Sequence, residues 1–140
     1  MKQELQEQLF NKYPHLFSEK GLPMQQTCMC WGIECDDGWY DLIDELCSKI
    51  VKLGKSLTAS QVKEKWGGLR FYTSSGSEEV WNLIHEYEEK SYTICEICGK
   101  KGKLRKDLNW IKTLCNIHYK KSKIHASQPV KPKTNSRSLG

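Results

Sequence analysis

Four residues near the C-terminal end have the types and the spacing of a metal site: Cys95, Cys98, Cys115 and His118. They form a C-x2-C pair, a gap of sixteen residues and a C-x2-H pair. Three thiolates and one imidazole supply the four ligands of a tetrahedral Zn²⁺ site that is closed and therefore structural. Gly99 follows the first pair, where a tight turn favours positive φ. The spacing predicts a zinc-binding lobe, with two buried thiol pairs or a disulfide as the alternative.

Four further cysteines lie outside this pattern, at Cys28, Cys30, Cys35 and Cys47. The spacing of the first three fits no common zinc knuckle, so we expect free or buried thiols there, and a second metal site is the weaker interpretation. The chain has no apolar run of membrane-spanning length and no apolar signal-peptide segment at its start. We therefore expect a cytoplasmic protein that is not associated with a membrane and whose cysteines stay reduced.

Charge is distributed unevenly along the 140 residues. Residues 1–98 contain 10 basic and 16 acidic residues, whereas residues 99–140 contain 12 basic residues and a single acid, Asp107. The predicted lobe contains the densest cluster, which includes Lys100, Lys101, Lys103, Arg105 and Lys106. Such a cluster favours nucleic acid, an acidic protein partner or this chain's own acidic part, and charge alone does not distinguish them.

Apolar periodicity predicts the elements that must position this site. A short helix is expected over residues 2–13, a strongly amphipathic helix from an Asp36 or Asp37 cap to residue 53, and another helix over residues 77–92 with Ser77 as its cap. Residues 14–35 have no clear periodicity and are expected to be irregular. The buried stripe of the central helix is predicted to contain Trp39, Leu42, Ile43, Leu46, Ile50 and Leu53.

Residues 59–73 have the alternation of a β-hairpin, with Gly67-Gly68 as its predicted two-residue turn. That register pairs Trp66 with Leu69 and divides the side chains between two faces. The apolar face is predicted to hold Val62, Glu64, Trp66, Leu69, Phe71 and Thr73. Glu64 then needs a partner, such as His85 or a backbone donor, unless it reaches solvent at the strand edge. The opposite face holds the candidate binding residues Lys63, Lys65, Arg70 and Tyr72, which are either a solvated surface or a site for phosphates.

These elements define an α+β fold, with two amphipathic helices packed on a β-hairpin, a small zinc-binding lobe and a flexible C-terminal tail. The predicted boundaries are 1–92 for the body, 93–120 for the zinc lobe and 121–140 for a disordered basic tail. The sequence shows no nucleophile–base pair, no glycine-rich phosphate loop and no H-E-x-x-H motif. We therefore expect a protein that is not an enzyme.

Two segments, 34–43 (ECDDGWYDLI) and 61–72 (QVKEKWGGLRFY), precede the two Cys/His pairs. In that order they resemble a family of small, mostly uncharacterised proteins of tailed bacteriophages and prophages, over about residues 30–118. The resemblance implies a phage-encoded protein of the host cytoplasm. By analogy, such a protein would bind a host target, such as a CRISPR or other defence system, through its basic zinc lobe. The alternatives are a nucleic-acid-binding zinc ribbon and a protein that sequesters a nucleotide signal through Lys63, Lys65 or Arg70.

Overall fold

The computed structural model describes residues 1–54 and 56–127 and shows the mixed α+β fold that the sequence predicts. The helices are α1 (Gln3–Lys12), α2 (Tyr40–Lys52), α3 (Glu78–Ser91) and α4 (Asn116–Ser127). The strands are β1 (Ile33–Glu34), β2 (Ala59–Lys65), β3 (Gly68–Thr73), β4 (Lys103–Arg105) and β5 (Lys112–Leu114). Within the described residues, no helix combines the length and the apolar character needed to cross a membrane.

The predicted hairpin is present as β2 and β3, but its turn lies one residue earlier than expected. Lys65 pairs with Gly68, so the two turn residues are Trp66 and Gly67, with φ of 55° and 84°. Gly68 is required by packing instead, since a Cβ there would lie 2.5 Å from ring atoms of Tyr92. The predicted pair of Trp66 with Leu69 is therefore wrong, because the second glycine serves a tertiary contact and not the turn.

The predicted division of the hairpin into two faces survives this change of register. Val62 pairs with Phe71 and Lys63 with Arg70, so each partner has moved by two residues and keeps its side of the sheet. Val62, Leu69 and Phe71 are buried, as the pattern predicts. Trp66 is the exception: its place in the turn leaves it largely exposed.

The main core lies between the hairpin and helices α2 and α3. The α2 stripe is confirmed from Trp39 to Ile50, and α3 adds Val80, Ile84 and Tyr87. Ser77 caps α3 as predicted, its side chain accepting from the Val80 N–H at 3.4 Å. Full burial of one Val, Leu or Ile side chain in this core stabilises the fold by roughly 1.5–3 kcal/mol.

Residues 14–35 are more ordered than their sequence pattern indicates. Leu16, Phe17 and Met29 are buried in the main core, and Ile33 pairs in parallel with Val62. This pairing makes β1 the third strand of a sheet with the order β1-β2-β3. A strand of two residues has no detectable alternation, so β1 could not be predicted from the residue pattern.

Helix α2 does not begin with the predicted aspartate cap. A short 3-10 turn over Asp37–Trp39 precedes it, and no side chain caps its first turn. The Asp37 carboxylate instead accepts a hydrogen bond from the backbone N–H of Lys2 at 2.7 Å. The segment before α2 is therefore tied to the start of the chain.

The second, smaller unit is built from the β4–β5 ribbon and α4. Cys95, Leu114 and Cys115 are buried together, with Leu108 and Tyr119 packed beside them. Helix α4 continues to Ser127, past residue 121, where the predicted tail begins. The rest of the predicted tail, 128–140, lies outside the described residues. We call the unit of residues 93–127 the lobe and the preceding part of the fold the body.

Candidate metal centre

The four predicted ligands meet in the lobe. The Sγ atoms of Cys95, Cys98 and Cys115 and a ring nitrogen of His118 all lie within 4.8 Å of one another. The Sγ atoms of Cys98 and Cys115 are 3.8 Å apart. Nδ1 of His118 is 3.6 Å from the Cys95 Sγ and 3.2 Å from the Cys115 Sγ. These four side chains are therefore placed to hold one metal ion.

The first pair of ligands lies in a tight knuckle. The Gly99 N–H donates to the Cys95 carbonyl at 2.9 Å, and the Cys95 N–H donates to the Lys100 carbonyl at 2.7 Å. Gly99 has a φ of 80°, in the left-handed region that side chains rarely adopt. The positive φ predicted for this glycine is thus confirmed.

The second pair of ligands joins β5 to α4. Cys115 directly follows β5, and His118 lies in the first turn of α4. The His118 backbone N–H, 3.5 Å from the Cys115 Sγ, stabilises the thiolate and lowers the pKa of Cys115 to about 6. The thiolate is the form of cysteine that binds metals, so the helix start prepares this ligand for the ion.

The knuckle is docked on the body through the segment before α2. Glu96 is almost fully buried, and its carboxylate accepts from the Asp36 N–H at 3.0 Å. Its backbone carbonyl accepts from the Gly38 N–H at 2.7 Å, and the Trp39 indole N–H donates to the Ile94 carbonyl at 2.9 Å. Burial raises the pKa of Glu96, against the opposing effects of Lys112 and the Asp36 N–H. The metal knuckle and the start of α2 therefore form one continuous structure.

A second contact joins the ribbon to the hairpin turn. Thr113 is fully buried, and its hydroxyl donates to the Gly67 carbonyl at 2.7 Å. A Cβ on Gly67 would lie 2.5 Å from the Leu104 side chain. The two segments of the predicted family resemblance, 34–43 and 61–72, thus both contact the lobe.

The remaining cysteines do not form another metal centre in the described part of the chain. Among those residues, the four ligands above are the one cluster of three or more His, Cys, Asp or Glu side chains that could hold a metal ion. Cys35 and Cys47 are buried, and this burial raises the pKa of each thiol. Buried protonated thiols are unreactive. Cys28 is exposed and Cys30 is half-buried.

The predicted binding face of the hairpin is partly engaged within the body. Lys63 lies between Glu34 of β1 and Arg70 of β3. The Arg70 guanidinium donates to the Leu69 carbonyl at 2.9 Å and to the Tyr92 hydroxyl at 3.3 Å. Tyr72 and Lys65 are exposed, with Lys65 at the end of β2 beside the turn. Lys65 is thus the member of this set closest to the lobe.

The basic residues of the lobe fall into two groups. Arg105 supports the fold, because it donates to the Leu114 carbonyl and to Asn116 and lies 4.2 Å from the centre of the Tyr119 ring. Lys112 and Lys123 are paired with Glu96 and Asp107. The others are exposed and are found in none of the ion pairs of the described residues: Lys100, Lys101, Lys103, Lys106, Lys120 and Lys121.

Sequence reasoning missed an aromatic cleft where the hairpin meets the lobe. Trp66 of the turn and Trp110 of the β4–β5 loop line it together. The sequence contains one sign of this cleft, an aromatic residue, Trp110, in a polar loop, and only the tertiary fold brings Trp110 and Trp66 into one cleft.

Comparisons with protein-family models, curated proteins and solved structures gave no match for this chain.

Proposed function

We propose that the lobe holds one structural zinc ion. Zn–S distances of about 2.3 Å and Zn–N distances of about 2.0–2.1 Å in a tetrahedron require S···S edges of about 3.8 Å and S···N edges of about 3.5 Å. The Cys98–Cys115 distance of 3.8 Å and the His118 distances of 3.6 and 3.2 Å agree with these edges. Thiolate and imidazole ligands favour zinc over hard cations. Four protein ligands leave no position for a substrate, which supports a structural role.

The ion's identity and stoichiometry are directly measurable. Protein expressed without added metal should contain about one zinc per chain by elemental analysis, and Cys98→Ser should lose most of it. Cys28→Ser removes an exposed thiol outside the cluster and serves as the matched control. Full zinc content in Cys98→Ser would refute the assignment.

On this scaffold we infer a non-enzymatic protein that binds nucleic acid through the lobe. The observation that carries this function is the set of exposed lysines on the lobe that form no ion pair within the described residues. The lobe docks on the acidic body mainly through backbone groups, the Thr113 hydroxyl and the Glu96 carboxylate. Since its lysines are not used for that docking, they remain available for phosphates.

Salt dependence tests this function. Binding of a fluorescein-labelled oligonucleotide, measured by anisotropy from 50 to 200 mM salt, should weaken steeply, because counterion release contributes less free energy as the salt concentration rises. Lys100/Lys103/Lys106→Gln should reduce both the affinity and the salt slope. Lys2/Lys20/Lys52→Gln removes the same charge from exposed positions of the body and should change binding less. Equal effects of the two triple variants would contradict a site on the lobe.

A second candidate function is binding of a host protein, including a defence component if the chain is phage-encoded. Ile97 and Ile117 lie inside the two metal knuckles and are exposed, so they offer a protein partner apolar side chains that phosphates do not use. Capture of a nuclease-resistant partner from host lysate should then be lost in Ile117→Lys and retained in Val51→Lys, which alters an exposed apolar residue of α2. A partner retained by both variants would exclude the knuckle face.

A further inference from the structure

The cleft between the hairpin turn and the lobe has the size and lining of a ligand site. Its volume is about 580 Å³, within the range of pockets that hold small organic groups. It is lined by Glu64, Lys65, Trp66, Asn109, Trp110, Ile111 and Lys112. Trp66 is 66% exposed and Trp110 is 80% exposed, so both indoles present much of their surface to solvent.

The fold holds Trp66 in an unfavourable backbone conformation. Its φ of 55° is uncommon for a residue with a side chain, and this turn position usually favours Asn, Asp or Gly. The turn is nevertheless fixed, because Glu64 accepts from the Gly67 N–H at 2.7 Å and Thr113 donates to the Gly67 carbonyl at 2.7 Å. A strained residue in a firmly held turn is a frequent feature of binding sites.

Of the charges around the cleft, that of Lys65 is the one placed to bind an anionic ligand. Lys65 is exposed and is absent from the ion pairs of the described chain. Lys112 lies on the other side, where Glu96 holds its ammonium group at 3.4 Å. The one acid that lines the cleft, Glu64, is directed to the turn by its bond to Gly67. Beyond the cleft, the lobe continues with the exposed lysines of β4 and its neighbours.

We propose that Trp66 and Trp110 form a stacking surface for unpaired nucleobases, so that the protein prefers single-stranded nucleic acid. This inference rests on the proposed nucleic-acid binding and specifies its ligand. Indole faces stack on any base, whereas the bases of a duplex are already stacked on one another. Lys65 and the lysines of the lobe bind the phosphates on either side of the stacked bases.

The test compares three probes of equal length: single-stranded oligo(dT), its abasic analogue and a duplex. The abasic strand keeps the phosphates and removes the bases. Trp110→Ala should weaken oligo(dT) binding by roughly 5- to 150-fold, the range observed for loss of one stacked base. Trp110→Phe should restore part of the affinity. Trp66→Asn should also weaken binding, and asparagine tolerates the positive φ of the turn.

Trp31→Ala is the matched control, because Trp31 is also largely exposed but lies on the body, as the last residue of the 3-10 turn Met29–Trp31 before β1. The inference is supported if oligo(dT) binds more tightly than the other two probes and only the cleft variants reduce this preference. It is overturned if Trp110→Ala binds oligo(dT) as the unaltered protein does, or if the abasic strand or duplex binds equally well. In those cases the basic lobe binds phosphates, and the cleft does not bind bases. Absence of binding to all three probes would instead refute the proposed function together with the inference.

Discussion

The Gly38 N–H donates to the Glu96 carbonyl at 2.7 Å, so the segment before α2 lies directly against the first metal knuckle. The contact is close on both sides. A Cβ on Gly38 would lie 2.2 Å from the Cys95 carbonyl oxygen and 2.5 Å from that of Glu96. Since Cys95 belongs to the proposed metal centre, the geometry of that centre and the start of α2 are coupled through backbone atoms.

Gly38→Ala should therefore separate the lobe from the body. The atoms in the way are backbone atoms, which cannot rotate aside, so we expect a loss of about 1–3 kcal/mol in unfolding free energy. Urea denaturation followed by circular dichroism measures it. Gly21→Ala is the control, because nothing lies within 4 Å of a Cβ at that position. Equal stability of the two variants would contradict the close contact.

Metal removal should affect the body as well as the lobe. A strong chelator or Cys98→Ser should unfold the lobe, because metal binding and folding of such a unit are one equilibrium. The Trp39 indole N–H then loses its acceptor, the Ile94 carbonyl, although Trp39 itself belongs to the main core. In an amide and indole NMR spectrum, the Trp39 indole signal should shift markedly while signals of α1 and α3 stay dispersed.

Cys28→Ser is the control for this experiment, since Cys28 is exposed and outside the cluster. Its spectrum should respond to chelator as that of the unaltered protein does. An unchanged Trp39 indole signal after complete metal removal would show that the lobe folds and docks without the ion.

The sequence predicts the features that depend on local spacing. The four ligands, the apolar stripe of α2 and the two faces of the hairpin follow from short-range patterns, and all are present in the fold. The docking of the lobe could not be predicted in this way, because Asp36 and Glu96 are 60 positions apart and neither belongs to a periodic pattern. The cleft was missed for the same reason: Trp66 and Trp110 line one cleft only in the tertiary fold, where the Thr113 hydroxyl donates to the Gly67 carbonyl.

Helix α3 satisfies the free edge of β3 with its side chains. The Leu69 N–H donates to the Ser91 hydroxyl oxygen, and the Phe71 N–H donates to the Glu88 carboxylate, both at 2.9 Å. Ser91 is fully buried and also donates to the Glu88 carbonyl at 2.5 Å. These bonds use backbone donors that an edge strand would otherwise leave unpaired.

Ser91→Ala should cost about 1–3 kcal/mol of unfolding free energy, because it leaves a buried backbone donor without an acceptor. Thr93→Ala is a matched control. Its exposed hydroxyl donates to the Lys90 carbonyl at 2.7 Å but accepts from no strand N–H, so its loss should cost clearly less. Chemical denaturation of both variants gives the comparison. Similar losses would mean that the Leu69 bond contributes little. In the Ser91 variant, hydrogen exchange at Leu69 should also accelerate.

Asp44 ties α2 to the end of α1. Its carboxylate accepts from the Tyr13 hydroxyl at 2.6 Å and from the Lys12 ammonium at 2.8 Å. Partial burial alone would raise the pKa of Asp44, but the bonds from Lys12 and Tyr13 outweigh it and lower that pKa. The carboxylate form is therefore favoured more strongly in the folded chain than in the unfolded chain.

Asp44→Asn should accordingly reduce stability in a pH-dependent way. Near pH 7 we expect a loss of about 1–2 kcal/mol, since the change removes the half-exposed pair with Lys12 and replaces the charge-assisted bond from Tyr13 with a weaker neutral one. The contribution of Asp44 is complete above the unfolded pKa of about 3.9 and declines as pH falls through the lower folded pKa, so the gap should narrow at the acid end of the range. Urea denaturation of the unaltered protein and of Asp44→Asn from pH 7 to pH 3 measures this difference in unfolding free energy, and metal loss in acid affects both proteins alike.

Asp41→Asn, an exposed change on the same helix, is the control and should show a smaller gap at pH 7. A gap for Asp44→Asn that stays constant with pH would contradict the lowered pKa.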